Sequence, residues 1–400
     1  VKIRKSTIKR RYVGLAVAAA VVVAVPVMPS LASASPVSSS SSSARPASSA
    51  TTAQLVVPAA QKVAGAPKIT WPAYGRARLE VAGLGEIGEI GNSTEQRPIG
   101  SITKVMTAYT ILKDHPLKAG AAGPKIKITK ADVKIYNRLK AQGASLVKVK
   151  AGSKLTERQA LQGLLMASGS NLAETLARWD VGSTAKFVTR MNANAQRLGL
   201  DSTSFADSSG LSEMSGSSTE DLIDLAQAAM KKPAFREVVG SKKAKIPVAG
   251  TLHNTNPLLG SNGVIGIKTG TTTPAGGCLL FAATDKVDGK TYTVYGTLLG
   301  VHLAPYSANA KKFSKGLIIA ARKELREVTL LKKGRALVSV TKPDGTVHTY
   351  GVKKAVTAAG WSGLPFTLSL PKGLTAGQTP KIIIVKSGSR TLKVALAPLS

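Results

Sequence analysis

An α+β fold, an antiparallel sheet flanked by helices with a small β module at the C-terminal end, is predicted by three observations. The folded region opens on a strand-like run (77–81) and continues through a long stretch of helix-period sequence. It then returns to three successive apolar, strand-like runs (264–268, 278–283 and 292–299) before a last helix. Beyond about residue 327 the pattern changes to short β runs around turn signals. Strands and helices segregated in this way, rather than alternating, give an antiparallel sheet. No internal repeat is visible.

The start of the chain reads as an export leader. Residues 2–11 hold Lys2, Arg4, Lys5, Lys9, Arg10 and Arg11 and no acid; 12–27 is an Ala/Val-rich apolar run; Ala32-Ser33-Ala34 is a small-x-small cleavage site. Basic, apolar and cleavage regions in that order describe a signal peptide over 1–34, against the alternative of an uncleaved anchor. Residues 35–60 are rich in Ser, Ala and Thr with few large apolar side chains, and read as a flexible tether. A main domain is expected over 61–326 and a basic β-rich module over 327–400.

Within the main domain, Val105, Met106, Tyr109 and Leu112 fall at helical spacing and predict a helix that starts at Ser101. Thr156 with Gln159 is a capping-box signal ahead of the apolar face Ala160, Leu161, Leu164 and Leu165. Helices are expected over 172–179, 184–198, 218–230 and 309–324. In the C-terminal module, runs 336–340 and 347–352 flank Pro343-Asp344-Gly345, a hairpin turn, and 381–386 and 391–396 read as two more strands.

Charge and cysteine content narrow the setting. The formal net charge is +34, and loss of the six basic leader residues leaves +28. An exported polycation associates with polyanions, so anionic cell-wall polymers or a membrane surface are candidate partners. Nucleic acid fits poorly with export, and no nucleic-acid motif is present. Cys278 is the single cysteine, so stability rests on an ordinary hydrophobic core, and the run Gly277-Cys278-Leu279-Leu280-Phe281 reads it as a buried strand residue. The four histidines, His115, His253, His302 and His348, lack metal-ligand spacing, and neither metal nor cofactor is expected.

Chemistry enters at Lys268-Thr269-Gly270, which occurs once, at the end of a strand-like run. A cation beside glycine, where a ligand can approach the backbone, suits capture of a carboxylate. Ahead of the C-terminal module a Ser-x-x-Lys pattern occurs four times: 6–9, 101–104, 145–148 and 183–186. The first lies in the leader. The third sits in a strand-like run, where i and i+3 face opposite sides. Ser183 stands where a helix cap would. Ser101 stands at a helix start with Lys104 one turn on, so both share one face. A helix N-terminus stabilises an alkoxide-like oxygen and favours a neutral lysine, which could then take the proton of Ser101.

Taken together, Ser101-Ile102-Thr103-Lys104, Ser168-Gly169-Ser170-Asn171 and Lys268-Thr269-Gly270-Thr271 stand in the order of the Ser-x-x-Lys, Ser-x-Asn and Lys-Thr-Gly set. With the flanks Met166-Ala167, Leu172-Ala173 and Phe205-Ala206-Asp207-Ser208-Ser209-Gly210-Leu211, the region 71–324 resembles the D-alanyl-D-alanine carboxypeptidases. These are the low-molecular-mass penicillin-binding proteins of the serine β-lactamase/DD-peptidase superfamily. The resemblance implies acyl transfer on peptidoglycan stem peptides, with β-lactam antibiotics as acylating inhibitors. Ser101 would be the nucleophile, Lys104 its base and Ser168 a proton relay. Lys268, Thr269 and Gly270 would hold the substrate carboxylate, and the backbone N–H groups of Ser101 and Thr271 would form an oxyanion hole.

One position departs from the pattern. Where the family has Ser-x-Asn, this chain has Ser168-Gly169-Ser170, with Asn171 next. Either Ser170 or Asn171 would then meet the substrate. A strict Ser-x-Asn at Ser307-Ala308-Asn309 follows the Lys-Thr-Gly and so has the wrong chain order. Two other readings stay open. A secreted serine β-lactamase would use the same residues, though its E-x-x-L-N stretch is not found between 172 and 267. A basic wall-binding protein could keep the fold without catalysis.

Overall fold

The computed structural model describes residues 51–374 and 378–399, so the leader over 1–34 and most of the tether over 35–60 lie outside the described residues. The main elements run as follows. Two short strands, β1 (Thr52–Leu55) and β2 (Ala60–Lys62), precede a hairpin of β3 (Arg76–Val81) and β4 (Gly85–Ile90). A 3-10 turn, Gly100–Ile102, leads into α1 (Thr103–Asp114). Helices α2 (Lys130–Ala141), α3 (Glu157–Leu165), α4 (Ser170–Val181), α5 (Thr184–Arg197), α6 (Thr219–Met230) and α7 (Pro233–Gly240) follow. Three long strands, β5 (Val264–Thr272), β6 (Gly276–Val287) and β7 (Lys290–Val301), lead to α8 (Tyr306–Glu324). Then come β8 (Arg326–Leu331), β9 (Ala336–Thr341), β10 (Val347–Gly351), β11 (Val356–Gly360), β12 (Pro365–Ser369), β13 (Ile382–Ser387) and β14 (Arg390–Ala395).

The central sheet has the order β5-β6-β7-β3-β4, antiparallel throughout. Its two faces are both covered, which explains the unbroken apolar run in β6. Cys278, Leu280 and Ala282 point into a core built with α1, α3, α4, α5 and α6. Leu279, Phe281 and Ala283 point the other way, into a core shared with Leu317 and Ile318 of α8 and with Leu337 and Trp361 of the C-terminal module. Period-two alternation thus assigns successive residues to different cores. Cys278 is buried, donates to the Ala275 carbonyl (3.3 Å), and burial pushes its thiol up to about 12, so it packs as a small hydrophobe.

The helix signals hold at the caps. Thr156 and Gln159 form the reciprocal box, with Thr156 Oγ1 accepting from the Gln159 N–H at 3.2 Å and Gln159 Oε1 accepting from the Thr156 N–H at 3.0 Å. Ser218 and Ser183 cap α6 and α5. Two helices have no counterpart among the sequence expectations, α7 and the more polar α2. The buried side of α2 is small, essentially Asp132 and Leu139, so apolar periodicity is faint. Instead it is held by a capping box at Thr129 and by the buried Asp132, which accepts from Arg178 and from Thr175 of α4.

The tether expectation is corrected at its end. Residues 52–55 pair with β9 and residues 60–62 pair with β12, so both join the sheets of the C-terminal module. These strands, TAQL and AQK, are short and half-exposed, with too few apolar side chains to announce themselves.

Candidate active site

The site forms where the 3-10 turn before α1 meets the end of strand β5. The two backbones touch. A Cβ on Gly270 would fall 2.7 Å from the Ile99 carbonyl oxygen, and one on Gly100 would fall 3.3 Å from the Thr271 nitrogen. Glycine is required at Gly210 as well: its φ is +78°, and a Cβ there would meet the Gly100 oxygen at 1.8 Å. Three stretches far apart in sequence are thereby fixed against one another around Ser101.

Lys104 Nζ lies 2.9 Å from Ser101 Oγ, one helical turn away as the spacing predicts, and donates to the Ser209 carbonyl at 2.6 Å. Lys104 is completely buried, and burial holds its ammonium well below the usual lysine range; the charge of Lys268 adds to this and Asp207 opposes it. A neutral amine at this distance can accept the Ser101 proton. The loop that carries Ser209 is built on Asp207. One carboxylate oxygen accepts from the Ser209 N–H (3.1 Å), the Ser209 hydroxyl (2.7 Å) and the Leu211 N–H (3.0 Å), and the other accepts from the Ser215 hydroxyl (2.5 Å). Thr107 of α1 donates to the Ser208 carbonyl (2.6 Å). Asp207 and Ser209 therefore position Lys104, a role that sequence motifs did not single out.

Lys268 is also buried, and burial alone pulls it down to about 7. Its Nζ donates to the Thr269 carbonyl at 2.9 Å, so it lies behind the wall that Thr269, Gly270 and Thr271 present to the cleft. Among the described residues Lys104 and Lys268 are the buried lysines, and neither has an ion-paired carboxylate.

Ser168 lines the same cleft, a space of ≈ 260 Å³ that also receives Ser101, Ser145, Thr255 and Lys311. Its backbone is in the left-handed region at φ 59°, costly for a residue with a side chain. The turn is enforced by the Gly169 N–H to Gly163 carbonyl bond (2.9 Å) and the Ser170 N–H to Ser145 carbonyl bond (2.8 Å). Its strain aims the Ser168 hydroxyl at the cleft rather than into the start of α4.

The expectation for Ser170 and Asn171 as substrate contacts is corrected. Ser170 is buried in the first turn of α4 and does not line the cleft. Asn171 is fully buried, its amide bound at both ends to the Val147 backbone, accepting from the N–H and donating to the carbonyl, each at 2.9 Å. Together they clamp the 145–147 segment, and that clamp brings Ser145 to the cleft wall. The strand expected at 145–148 is an irregular segment instead, and Lys148 is exposed. Ser307 lines the cleft too, but Asn309 is spent on the Leu303 and Ala304 carbonyls. Ser145, Thr255, Ser307 and Lys311 carry no local signal, because only tertiary packing gathers them. Among the described residues no group of three His, Cys, Asp or Glu side chains is placed to hold a metal ion.

Known proteins resemble this chain in sequence and in fold. The profile of a family described as D-alanyl-D-alanine carboxypeptidase matches residues 84–294. The D-alanyl-D-alanine carboxypeptidase of Streptomyces sp. (strain K15) is 38% identical over 221 residues, covering 51% of this chain and 72% of that one. DacF, a D-alanyl-D-alanine carboxypeptidase of Bacillus subtilis (strain 168), is 32% identical over 199 residues; the match covers 48% of this chain and about half (49%) of DacF. The crystal structure of the Streptomyces K15 DD-transpeptidase superposes with a TM-score of 0.55 at 31% identity, covering 63% of this chain and 99% of that one. DacD from Francisella tularensis superposes with a TM-score of 0.60 over 84% of this chain and 95% of its own; at 21% identity that likeness speaks for the fold.

Proposed function

The chain belongs to the D-alanyl-D-alanine carboxypeptidase family, and on that premise we propose that it is an exported serine DD-peptidase that trims the terminal D-Ala from peptidoglycan stem peptides through an acyl-enzyme on Ser101. The observation that carries the proposal is the Ser101 Oγ to Lys104 Nζ contact of 2.9 Å made by a lysine that is wholly buried. In water a lysine is protonated at neutral pH and cannot act as a base; in this site burial removes that obstacle.

The geometry supports the following cycle. Substrate binds with its terminal carboxylate toward Lys268 and Thr269. Ser101 Oγ attacks the peptide carbonyl carbon as Lys104 takes the hydroxyl proton. The oxyanion sits between the N–H groups of Ser101 and Thr271, donors that contribute about 3 kcal/mol each in comparable sites. As the C–N bond breaks, the proton held by Lys104 is relayed through the Ser168 hydroxyl to the departing amine, D-Ala leaves, and Lys104 is neutral again. Water then attacks the ester carbonyl as Lys104 takes its proton, the acyl C–Oγ bond breaks, and Lys104 returns the proton to Oγ, regenerating Ser101. A β-lactam enters at the same carbonyl position and leaves a slowly hydrolysed ester. The leader over 1–34 supports placement outside the cytoplasmic membrane or at the wall.

The Streptomyces K15 relative is named both carboxypeptidase and DD-transpeptidase, which makes the acyl acceptor, water or an amine, the point to measure. The test is release of free D-Ala from a synthetic pentapeptide ending in D-Ala-D-Ala, with and without an added amine. The expected result is D-Ala release by the parent protein and none by Ser101→Ala. Intact peptide with the parent would favour the wall-binding reading. Rapid turnover of penicillin without an accumulating adduct would favour a β-lactamase.

A further inference from the structure

A second, chemically different site lies in the C-terminal β module, on the sheet ordered β2-β12-β13-β14. Its inner face is apolar: Phe366 and Leu368 of β12 and Ile383 and Val385 of β13 are buried. The outer face is set by register. Lys62 pairs with Pro365, Ala60 with Thr367, Thr367 with Lys386, and Ile384 with Lys393. Pro365, Thr367 and Lys386 are exposed, as are Lys62 and Lys393, so Lys62, Lys386 and Lys393 stand on one side of the sheet. Strand spacing and rise place Lys62 and Lys386 about 12 Å apart, and Lys386 and Lys393 about 8 Å apart. Lys62, Lys386 and Arg335 line a groove of ≈ 830 Å³ that has no carboxylate among its lining residues. Over 331–400 there are eleven Lys and Arg and one acid, Asp344, which lies in the β9–β10 turn.

We propose that this groove binds an extended phosphodiester polyanion without bases, a polyol-phosphate chain, whose phosphates are met by Lys62, Arg335 and Lys386. Three features select this occupant. Lys62 and Lys386 stand about 12 Å apart along the groove, and Arg335, half-buried and donating to Gln61 Oε1 (3.0 Å), adds a third charge at its wall, whereas solubility alone needs no groove. A membrane-docking face presents apolar side chains for insertion, and none of the exposed large hydrophobic residues (Val56, Tyr74, Leu211, Met214, Val248, Ile319, Val347) lines the groove. Single-stranded nucleic acid is held by stacking on exposed aromatic side chains, and the one aromatic residue of the groove, Phe366, is buried. Thr367 adds an exposed hydroxyl donor between the two lysine rows.

The experiment is equilibrium binding of the full chain to a defined poly(glycerol phosphate), with a single-stranded oligonucleotide of equal charge and phosphatidylglycerol vesicles as comparisons. Three phosphate contacts on a flexible chain predict binding roughly 20-fold weaker at 200 mM than at 50 mM salt. The triple variant Lys62→Gln, Arg335→Gln, Lys386→Gln is expected to lose at least tenfold in affinity, and the double variant Lys62→Gln, Lys386→Gln, whose side chains are exposed, is expected to lose most of that with an unchanged unfolding temperature. A charge-matched variant of exposed lysines on α2 (Lys130→Gln, Lys134→Gln, Lys140→Gln) is expected to keep its affinity to within about threefold, since those residues lie outside the groove. The proposal is overturned if the α2 variant loses as much as the groove variant, if the groove variant binds like the parent, or if vesicles or the oligonucleotide bind and poly(glycerol phosphate) does not. The readout is binding alone, so it is independent of catalysis at Ser101.

Discussion

The catalytic cleft and the outer face of the C-terminal sheet use the same residue, lysine, in opposite environments. Lys104 and Lys268 are wholly buried, and the charge of Lys268 adds to the cost of charging Lys104. Lys62, Lys386 and Lys393 are exposed. Burial converts an ammonium into an amine that can take a proton near neutral pH. Exposure leaves a permanent charge whose effect is screened by salt. The cleft should therefore respond to pH and the sheet face to ionic strength, and each prediction below breaks or sharpens that division.

The largest effect is expected at Ser101. Ser101→Ala should lower kcat for D-Ala release on the order of 10⁴-fold or more, as removal of a nucleophile does in other serine acyl-transfer enzymes, while carboxylate ligands still bind. Next comes Lys104. Lys104→Met fills the same space without a base and should slow acylation by roughly 10³-fold, with no fall in unfolding temperature. In the parent, acylation should fade as pH drops through the folded value of Lys104, because protonation removes the base.

Lys268 should give a pH signature of opposite sign. Its folded value is about 7, so in the empty site it is protonated below that pH and neutral above it. A carboxylate ligand favours the protonated form. Affinity should be highest below about pH 7 and fall as pH rises, with proton uptake on binding above it, measured by calorimetry in two buffers of different ionisation enthalpy. Lys268→Gln should abolish the uptake and weaken binding about 10- to 100-fold. The same depression bears on stability. The unfolded chain binds more protons below the ordinary lysine value of about 10.5, so the contribution of Lys104 and Lys268 is lost as pH falls from about 10 toward 7.

Glu157 offers a smaller test with the reverse sign. It is buried, its Oε1 has no hydrogen-bond partner, and burial raises it to about 7 against the opposing charge of His115. A raised carboxyl contributes stability at low pH that is lost as pH rises through about 7. Glu157→Gln should therefore be more stable than the parent above neutral pH, by on the order of 1 kcal/mol in urea unfolding, and close to it at pH 5. The smallest expected effect is that of the sheet-face triple variant on catalysis: kcat/KM for a free pentapeptide should stay within about twofold, because exposed charges outside the cleft act over no more than a Debye length.

Much of the cleft is legible in the sequence, and its exceptions share one cause. Ser101 with Lys104 and the Lys268-Thr269-Gly270 strand end are local patterns, so spacing alone places them on one helical face and at one strand end. Ser168 is legible as a motif position, though its left-handed backbone is not. Asn171 misleads because an asparagine beside a motif looks chemical, whereas the fold uses it to clamp Val147. Ser145 and Lys311 reach the cleft only through that clamp and through the packing of α8, which no local pattern encodes. The same holds for the fold. The central strands are visible because both of their faces are buried, while α2 and the strands at 52–62 are hidden because polar caps and backbone pairing hold them.

The most direct test of the central claim is the intact mass of the purified protein after exposure to penicillin, followed by peptide mapping, in the parent and in Ser101→Ala. The account predicts one stoichiometric penicilloyl adduct on the peptide that contains Ser101, and no adduct in the variant. An adduct on another serine, or a parent protein left unlabelled, would contradict it.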